Sequence, residues 1–293
     1  MWIFIALVAV YMGLSLLLPP EYLRKYQMSE ASLRLVSLTI ILPVGAIQLS
    51  ALYGFLKFKA YANKIKKTKE GPAFMQIANG LMVLTFGLPI NSAASSILNY
   101  VARTNTDLQP TAIILKGYIA LIFPFIAFLL IAKGAEGLIK TLKRPVSKQW
   151  TTFGLLGVIV LTAVYTELIV ARAPVQDAKS GYHLPTWLIL ATIAIPYLYI
   201  WCKGLRAAYH IFIYKNRIKG TVYRNALDYL AKGLVIIIFA SIIIQVLITV
   251  TERITSLSVA PILLIVYLLL GLYAVGFGMV ARGAKKLKKI EEV

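Results

Sequence analysis

Long apolar runs recur along nearly the whole chain, and they restrict its fold more than any other feature. A helix needs about 20 residues to cross the hydrocarbon layer of a bilayer, and a membrane β-barrel would show short alternating segments instead. The runs predict about eight membrane-spanning helices, at residues 2–18, 33–56, 73–101, 111–132, 151–171, 185–202, 230–250 and 259–281. The predicted fold class is therefore an all-α integral membrane protein.

Composition excludes a water-soluble domain. Of the 293 residues, 59% are hydrophobic and only 14% are charged, whereas soluble domains carry about 25% charged residues. The first apolar run has no basic residue before it and no small-x-small cleavage motif after it. We therefore expect an uncleaved span there rather than a signal peptide.

Basic residues are concentrated in alternate predicted loops. Residues 57–72, 133–149, 203–232 and 282–293 together hold 23 of the 31 Lys and Arg residues. Because Lys and Arg in short loops stay in the cytoplasm, we predict a multi-pass protein of the cell membrane with both termini cytoplasmic. The formal net charge of +20 then faces the anionic lipids of the cytoplasmic leaflet, which are the expected lipid partners. Since topology explains the charge, we expect no nucleic-acid partner.

The sequence repeats itself. Residues 35–87 align without a gap with residues 188–240, and 16 of the 53 pairs are identical. Further along, residues 113–140 align with residues 262–289. The match includes a polar loop, which shared apolar composition does not explain.

The repeat predicts a specific architecture. Each copy holds an even number of spans, so both copies enter the membrane from the same side. We expect two parallel four-helix repeats, residues 1–144 and 150–293, joined by a linker at 145–149 and related by a pseudo-twofold axis along the membrane normal.

Two predicted spans carry polar side chains at four-residue steps, which places each set on one helix face. The stripes are Asn91, Ser95 and Asn99 with Ser92 and Ser96 alongside, and Ser241, Gln245 and Thr249. Each triplet stands four, eight and twelve residues before an arginine, Arg103 or Arg253. The stripes either join helices through hydrogen bonds worth about 0.6–2 kcal/mol each or line a polar pathway.

Other embedded residues have two interpretations each. Glu167, near the outer end of span 151–171, is a candidate for the pathway or a salt-bridged residue near the membrane surface. Pro43, Pro124 and Pro196 lie near the middle of three spans. Each removes a backbone hydrogen bond, so they are candidate hinges or only shape the packing.

The repeated polar loop is a candidate contact for lipid or a protein partner. Its two copies contain Tyr61, Asn63, Lys64 and Lys66, and Tyr214, Asn216, Arg217 and Lys219. An aromatic ring, an amide and several cations suit phosphate headgroups or an acidic protein. A solvated positive loop is the competing interpretation.

Catalytic motifs and Cys/His clusters with metal-binding spacing are absent from the sequence. We therefore expect no enzymatic activity, no cofactor and no metal. The leading functional hypothesis is a transporter or channel with a polar pathway at the repeat interface. The alternative is a non-catalytic membrane scaffold or assembly subunit that docks anionic lipid or partner proteins through its repeated basic cytoplasmic loops. The candidate protein partners are a different protein or a second copy of the chain in a homo-oligomer.

Overall fold

The computed structural model describes residues 2–17, 29–105, 108–142, 195–218, 220–253 and 259–289. Regular structure within these ranges is entirely helical. The helices are α1 (Trp2–Leu17), α2 (Glu30–Lys64), α3 (Gly71–Thr104), α4 (Gln109–Lys140), α5 (Ile195–Arg217), α6 (Thr221–Arg253) and α7 (Val259–Lys289). Segments of α2, α3, α4, α6 and α7 are long and apolar enough to cross a membrane. The chain therefore fits a multi-pass α-helical membrane protein.

Five of the predicted spans, at 33–56, 73–101, 111–132, 230–250 and 259–281, coincide with these five helices. The predicted span at 2–18 forms α1, which is a shorter apolar helix. The predicted span at 151–171 lies outside the described residues, and the one at 185–202 is described only from residue 195 onwards, within α5.

Helices continue through much of the sequence predicted as basic loops. α2 runs to Lys64 and α5 runs to Arg217, so the connections to α3 and α6 are short turns. The predicted loops at 57–72 and 203–232 are therefore largely helical, because loss of hydrophobicity marks the membrane surface and not the end of a helix. Lys and Ala are good helix formers and extend the helices into water. Gly220 has φ of 113°, a conformation that favours glycine, just before α6 begins.

Six helices pack as a closed ring. Going around it, α3 lies against α4, α4 against α5, α5 against α6, α6 against α7, α7 against α2, and α2 against α3. α1 packs on α2 and α3 from one side. The ends of α2, α4 and α5 that carry Lys64, Lys140 and Arg217 lie together, and we call this end of the ring the basic end.

Glycines allow the helices of two pairs, α3 with α4 and α6 with α7, to pack closely. At the α3–α4 interface, Gly80 lies against Ala127 and Ile131, and Gly134 lies against Ala73 and Ile77. At the α6–α7 interface, Gly233 lies against Gly276 and Val280, and Gly283 lies against Ala226 and Leu230. A Cβ atom on any of the four glycines would lie 2.6 or 2.7 Å from a neighbouring heavy atom. The second set of residues is the one that the sequence repeat aligns with the first.

Candidate functional site: the interior of the helix ring

Aromatic side chains close the centre of the ring near its basic end. The ring of Tyr61 lies 5.4 Å from that of Phe74 and 6.3 Å from that of Tyr223, and Phe74 and Tyr223 are 6.2 Å apart. Tyr223 also hydrogen-bonds to Tyr61 and to Tyr214, and Tyr214 hydrogen-bonds to Thr141. We call Tyr61, Tyr214 and Tyr223 the tyrosine cluster. It ties α2, α5 and α6 to the end of α4.

Burial dominates the electrostatics of this cluster. It raises the pKa of Tyr214 to about 12, and the nearby negative charge of Glu70 acts in the same direction. The Tyr214 hydroxyl therefore stays protonated at neutral pH and remains able to donate a hydrogen bond. The cluster is a neutral, closed layer.

The contact between Phe74 and Tyr223 identifies the inner faces of α3 and α6, which stand opposite each other in the ring. An α-helix completes five turns in about 18 residues. Ser92 follows Phe74 by 18 residues and Ser241 follows Tyr223 by 18 residues. Both serines therefore lie on the inner faces. Ser95 is rotated from Ser92 by less than a fifth of a turn around the axis of α3.

Burial along these inner faces changes with distance from the basic end. Leu81 on α3 is 3% exposed and Leu234 on α6 is 0% exposed. Further from the basic end, Ser92, Ser95 and Ser96 are all only half-buried, as is Ser241. Burial on these faces is thus complete near the basic end and partial toward the opposite end.

Individual stripe residues make different contacts. Ser92 Oγ donates to the carbonyl of Leu88 at 2.9 Å, and Ser96 Oγ donates to the carbonyl of Ser92 at 3.1 Å. Ser241 accepts a hydrogen bond from the indole N–H of Trp201 at 3.3 Å and also interacts with Tyr273. Ser241 of the α6 stripe therefore connects α6 to α5 and contacts α7, in addition to lying on the inner face.

Asn91 lies apart from the serines. Asn91 follows Gly87 by four residues, about one helical turn, so the two residues share a face of α3. Gly87 lies against Phe123 of α4, so this face is turned toward α4. Its Oδ1 atom is buried without a hydrogen-bond partner among the described residues. The structure describes Asn99, Gln245 and Thr249 as helix positions only, and Glu167 lies outside the described residues.

Sequence reasoning missed a buried polar position on α2. Gln48 is 1% exposed, and neither of its amide atoms has a hydrogen-bond partner within the described ranges. The repeat aligns Gln48 with Trp201, the residue that bonds to Ser241. Gln48 belongs to neither polar stripe. Its alignment with Trp201 is the sequence signal that could have identified it.

The repeated polar segment divides into buried and exposed residues. Tyr61 and Tyr214 are buried in the tyrosine cluster and do not present their rings to a lipid surface or partner. The side chains of Asn63, Lys64, Lys66, Asn216 and Arg217 are exposed, and Lys219 lies outside the described residues. The three proposed hinges stand in helices: Pro43 and Pro124 lie inside α2 and α4, and Pro196 is the second residue described in α5.

An ion cluster connects α5 and α6 in the second half. Nζ of Lys215, which is buried, lies 2.6 Å from Asp228, and Nζ of Lys232 lies 2.8 Å from the other carboxylate oxygen. The aligned positions in the first half are Ala62, Met75 and Asn79. Burial of a charge requires a partner, and Asp228 provides it here. The cluster is a structural link near the basic end.

No group of three or more His, Cys, Asp or Glu residues is placed to hold a metal ion in the part of the chain that the structure describes. Comparison with protein-family models, with curated proteins and with solved structures finds no match to this chain. A proposal for its function therefore rests on the chain's own residues.

Proposed function

We propose that this protein is a membrane transporter for small uncharged polar solutes. Its solute pathway runs through the centre of the six-helix ring, between the inner faces of α3 and α6. The two halves of the ring are tandem copies of one four-span unit, residues 1–144 and 150–293. In this arrangement the closed basic end faces the cytoplasm.

The observation that carries the proposal is the change in burial along the inner faces. Leucines fill the interior near the basic end, whereas half-buried serines occupy the same faces further away. Hydroxyl groups that face a cavity can hydrogen-bond to water or solute, which offsets the cost of placing them within a membrane. The tyrosine cluster then acts as a closed gate below an open, polar vestibule.

Matched contacts in the two halves support a duplicated unit. The contacts of Gly80 and Gly134 in the α3–α4 pair have counterparts in those of Gly233 and Gly283 in the α6–α7 pair. The packing of α2 on α7 likewise has its counterpart in the packing of α5 on α4, because the repeat aligns α2 with α5 and α7 with α4. Exchange of the two halves therefore preserves the order of helices around the ring.

The absence of charge within the apolar segments of the five described membrane-spanning candidates supports the substrate class; Glu167, in the predicted span at 151–171, lies outside the described residues. No Asp, Glu, Lys or Arg occurs in residues 35–56, 71–102, 117–132, 233–251 or 259–281. Transporters of ions and charged solutes carry embedded ionisable residues. Serine hydroxyls both donate and accept hydrogen bonds, so they suit a neutral solute with hydroxyl or amide groups.

The test compares two neighbouring residues on α3 in proteoliposomes. Ser92→Leu places an apolar side chain on the inner face, whereas Asn91→Leu makes a comparable change on the α4-facing side. Stopped-flow shrinkage and reswelling with glycerol and urea measures solute entry. We expect Ser92→Leu to lower the rate by about tenfold or more, since loss of one hydrogen-bonding group costs about 1–3 kcal/mol. We expect Asn91→Leu to keep the parent's rate.

Thermal unfolding of the same variants in detergent separates transport from packing. Both variants should unfold within a few degrees of the parent, because Ser92 bonds only to its own helix in the described structure and Asn91 Oδ1 has no partner there. Solute entry by the parent no faster than in protein-free liposomes would contradict the proposal.

A second candidate is the membrane scaffold. The hydrogen bond from Trp201 to Ser241 favours it, because this bond holds α5 to α6 instead of leaving the stripe free for a solute. A parent without solute flux, together with a Ser241→Ala variant of lower unfolding temperature, would support the scaffold.

A further inference from the structure

A groove at the basic end is separate from the ring interior. It lies between the beginning of α6 and the end of α7 and has a volume of about 470 Å³, within the range of about 300–1,000 Å³ that small-molecule sites occupy. Its walls are formed by Val222, Asn225, Tyr229, Arg282, Lys285 and Lys286. The groove thus combines three cations, an amide and an aromatic ring.

The three cations of the groove lie on one face of α7 and have no carboxylate partner among the described residues. Arg282, Lys285 and Lys286 are spaced three and four residues apart, so they share one face of α7. Nζ of Lys286 lies 4.6 Å from the centre of the Tyr229 ring, a cation–π contact that fixes its position over the groove. Within the described ranges, no carboxylate lies within ion-pair distance of any of the three.

The start of α6 adds to the positive potential. Its first turn contains no acidic residue, so the free backbone N–H groups and the positive end of the helix dipole are available to an anion. The groove also lies at the ends of the candidate spans Val222–Ile243 and Leu263–Leu287. Phospholipid headgroups occupy that depth of a bilayer.

The aligned position in the first half has a different composition. There Pro72 and Gln76 replace Asn225 and Tyr229, while Glu136 and Gly137 replace Lys285 and Lys286. Glu136 lies 3.4 Å from Arg206 of α5, which takes up its charge. The first half also has cations at two aligned positions, Lys69 and Lys133, so with Glu136 the aligned residues carry a formal net charge of +1 there, against +3 in the α6–α7 groove. A general excess of cations on one membrane face does not explain this difference between aligned positions.

We propose that the α6–α7 groove binds the phosphate group of an anionic phospholipid. Arg282 and Lys285 contact the phosphate oxygens, Lys286 is held in place by Tyr229, and Asn225 binds a polar group of the headgroup. The site does not depend on the proposed transport activity.

Native mass spectrometry of the full chain in detergent tests the site. The protein is titrated with dioleoylphosphatidylglycerol, with dioleoylphosphatidylcholine, and with soluble glycerol phosphate as the lipid-free source of the same group. The double variant R282Q/K286Q is compared with K133Q/K140Q, which removes the same charge from the end of α4. Lys133 aligns with Arg282, and both control lysines are exposed.

We expect the parent to bind phosphatidylglycerol in preference to phosphatidylcholine. R282Q/K286Q should weaken that binding by more than about tenfold, since a direct hydrogen bond to a charged group contributes about tenfold or more. K133Q/K140Q should leave it within about twofold, because those lysines lie outside the groove and make no such contact. Equal losses in the two double variants, or equal binding of the two lipids, would overturn the proposal. Binding of glycerol phosphate as tight as that of the lipid would overturn the assignment to a phospholipid.

Discussion

His210 is a half-buried titratable side chain near the basic end of α5. Burial lowers its pKa, the neighbouring charge of Arg206 lowers it further, and Glu136 opposes the shift. Nδ1 of the imidazole is buried without a hydrogen-bond partner among the described residues. The folded protein therefore holds the neutral imidazole.

This burial makes stability depend on pH in a defined direction. Above the unfolded pKa of about 6.5, both states hold neutral histidine and His210 contributes no pH dependence. Below it, the unfolded state binds a proton that the folded state resists, so folding becomes less favourable. We expect the unfolding temperature of the parent in detergent to fall more steeply from pH 7.5 to pH 5.5 than that of His210→Gln.

His183→Gln provides the matched control, because the chain contains two histidines. It should keep the parent's pH dependence. Parallel curves for the parent and His210→Gln would show that His210 titrates equally in both states and would contradict the expectation.

The repeated polar segment shows what sequence can and cannot assign at the level of residues. The alignment of the two copies singles out Tyr61, Tyr214 and Thr68 as retained positions. The side chains they contact could not be deduced, because retention does not reveal whether a ring faces lipid or core. Both tyrosines are buried, and the hydroxyl of Thr68 donates to the carbonyl of Ile65 within the turn after α2. Among the residues proposed to contact lipid, the exposed cations are therefore the ones that a lipid headgroup can reach.

At the scale of elements, glycine determines how closely the helices pack. Gly80 and Gly233 bring α3 onto α4 and α6 onto α7, with neighbouring backbone atoms where a side chain would stand. Close backbone approach through small residues is the usual source of helix association in membranes. Gly278 of α7 has nothing within 4 Å of the place where a Cβ would lie.

We expect Gly80→Ala and Gly233→Ala to lower the free energy of unfolding by about 1–3 kcal/mol each, because the added methyl group forces the helices apart. Gly278→Ala should instead raise it by up to about 1 kcal/mol, because alanine favours the helix more than glycine does. Thermal or denaturant unfolding in detergent measures all three. Equal stability of Gly80→Ala and Gly278→Ala would show that the α3–α4 contact is not tight.

The predicted spans and the observed helices differ mainly at their ends. Hydrophobicity predicted the apolar cores of α2, α3, α4, α6 and α7, since those segments are long and apolar enough to cross a membrane. It did not predict the extension of α2 to Lys64 or of α5 to Arg217, because helix propensity, and not hydrophobicity, decides where a helix ends outside the membrane. The helices therefore project beyond the apolar segments at the basic end.

At the scale of the whole molecule, the order of helices around the ring was beyond sequence-based prediction. Apolar helix faces are similar in composition, so hydrophobicity does not reveal that α2 lies against α7 and α4 against α5. The proposed duplication nevertheless restricts the answer, because two copies of one unit are expected to make matching contacts when the halves are exchanged. Under that proposal, the Lys215–Asp228 pair and the α6–α7 groove are features of the second half alone.

The position of the basic end relative to the cell is the remaining whole-molecule prediction. Lys66 stands exposed in the turn between α2 and α3, and Asn105 stands exposed just after the far end of α3. Because α3 is long enough to cross the membrane once, the two residues should lie on opposite sides. The concentration of Lys and Arg at the basic end predicts that Lys66 is cytoplasmic.

Single cysteines at these two positions, in a Cys202→Ser background, test the orientation. An impermeant maleimide should label Asn105→Cys in intact cells, and it should label Lys66→Cys only after the membrane is permeabilised. Each variant serves as the control for the other. Because α3 is expected to cross the membrane once between the two positions, only one of them should react in intact cells. The opposite pattern would place the basic end outside and contradict the charge rule. Labelling of both positions in intact cells would mean that α3 does not cross the membrane, and it would remove the basis for a pathway between the inner faces of α3 and α6.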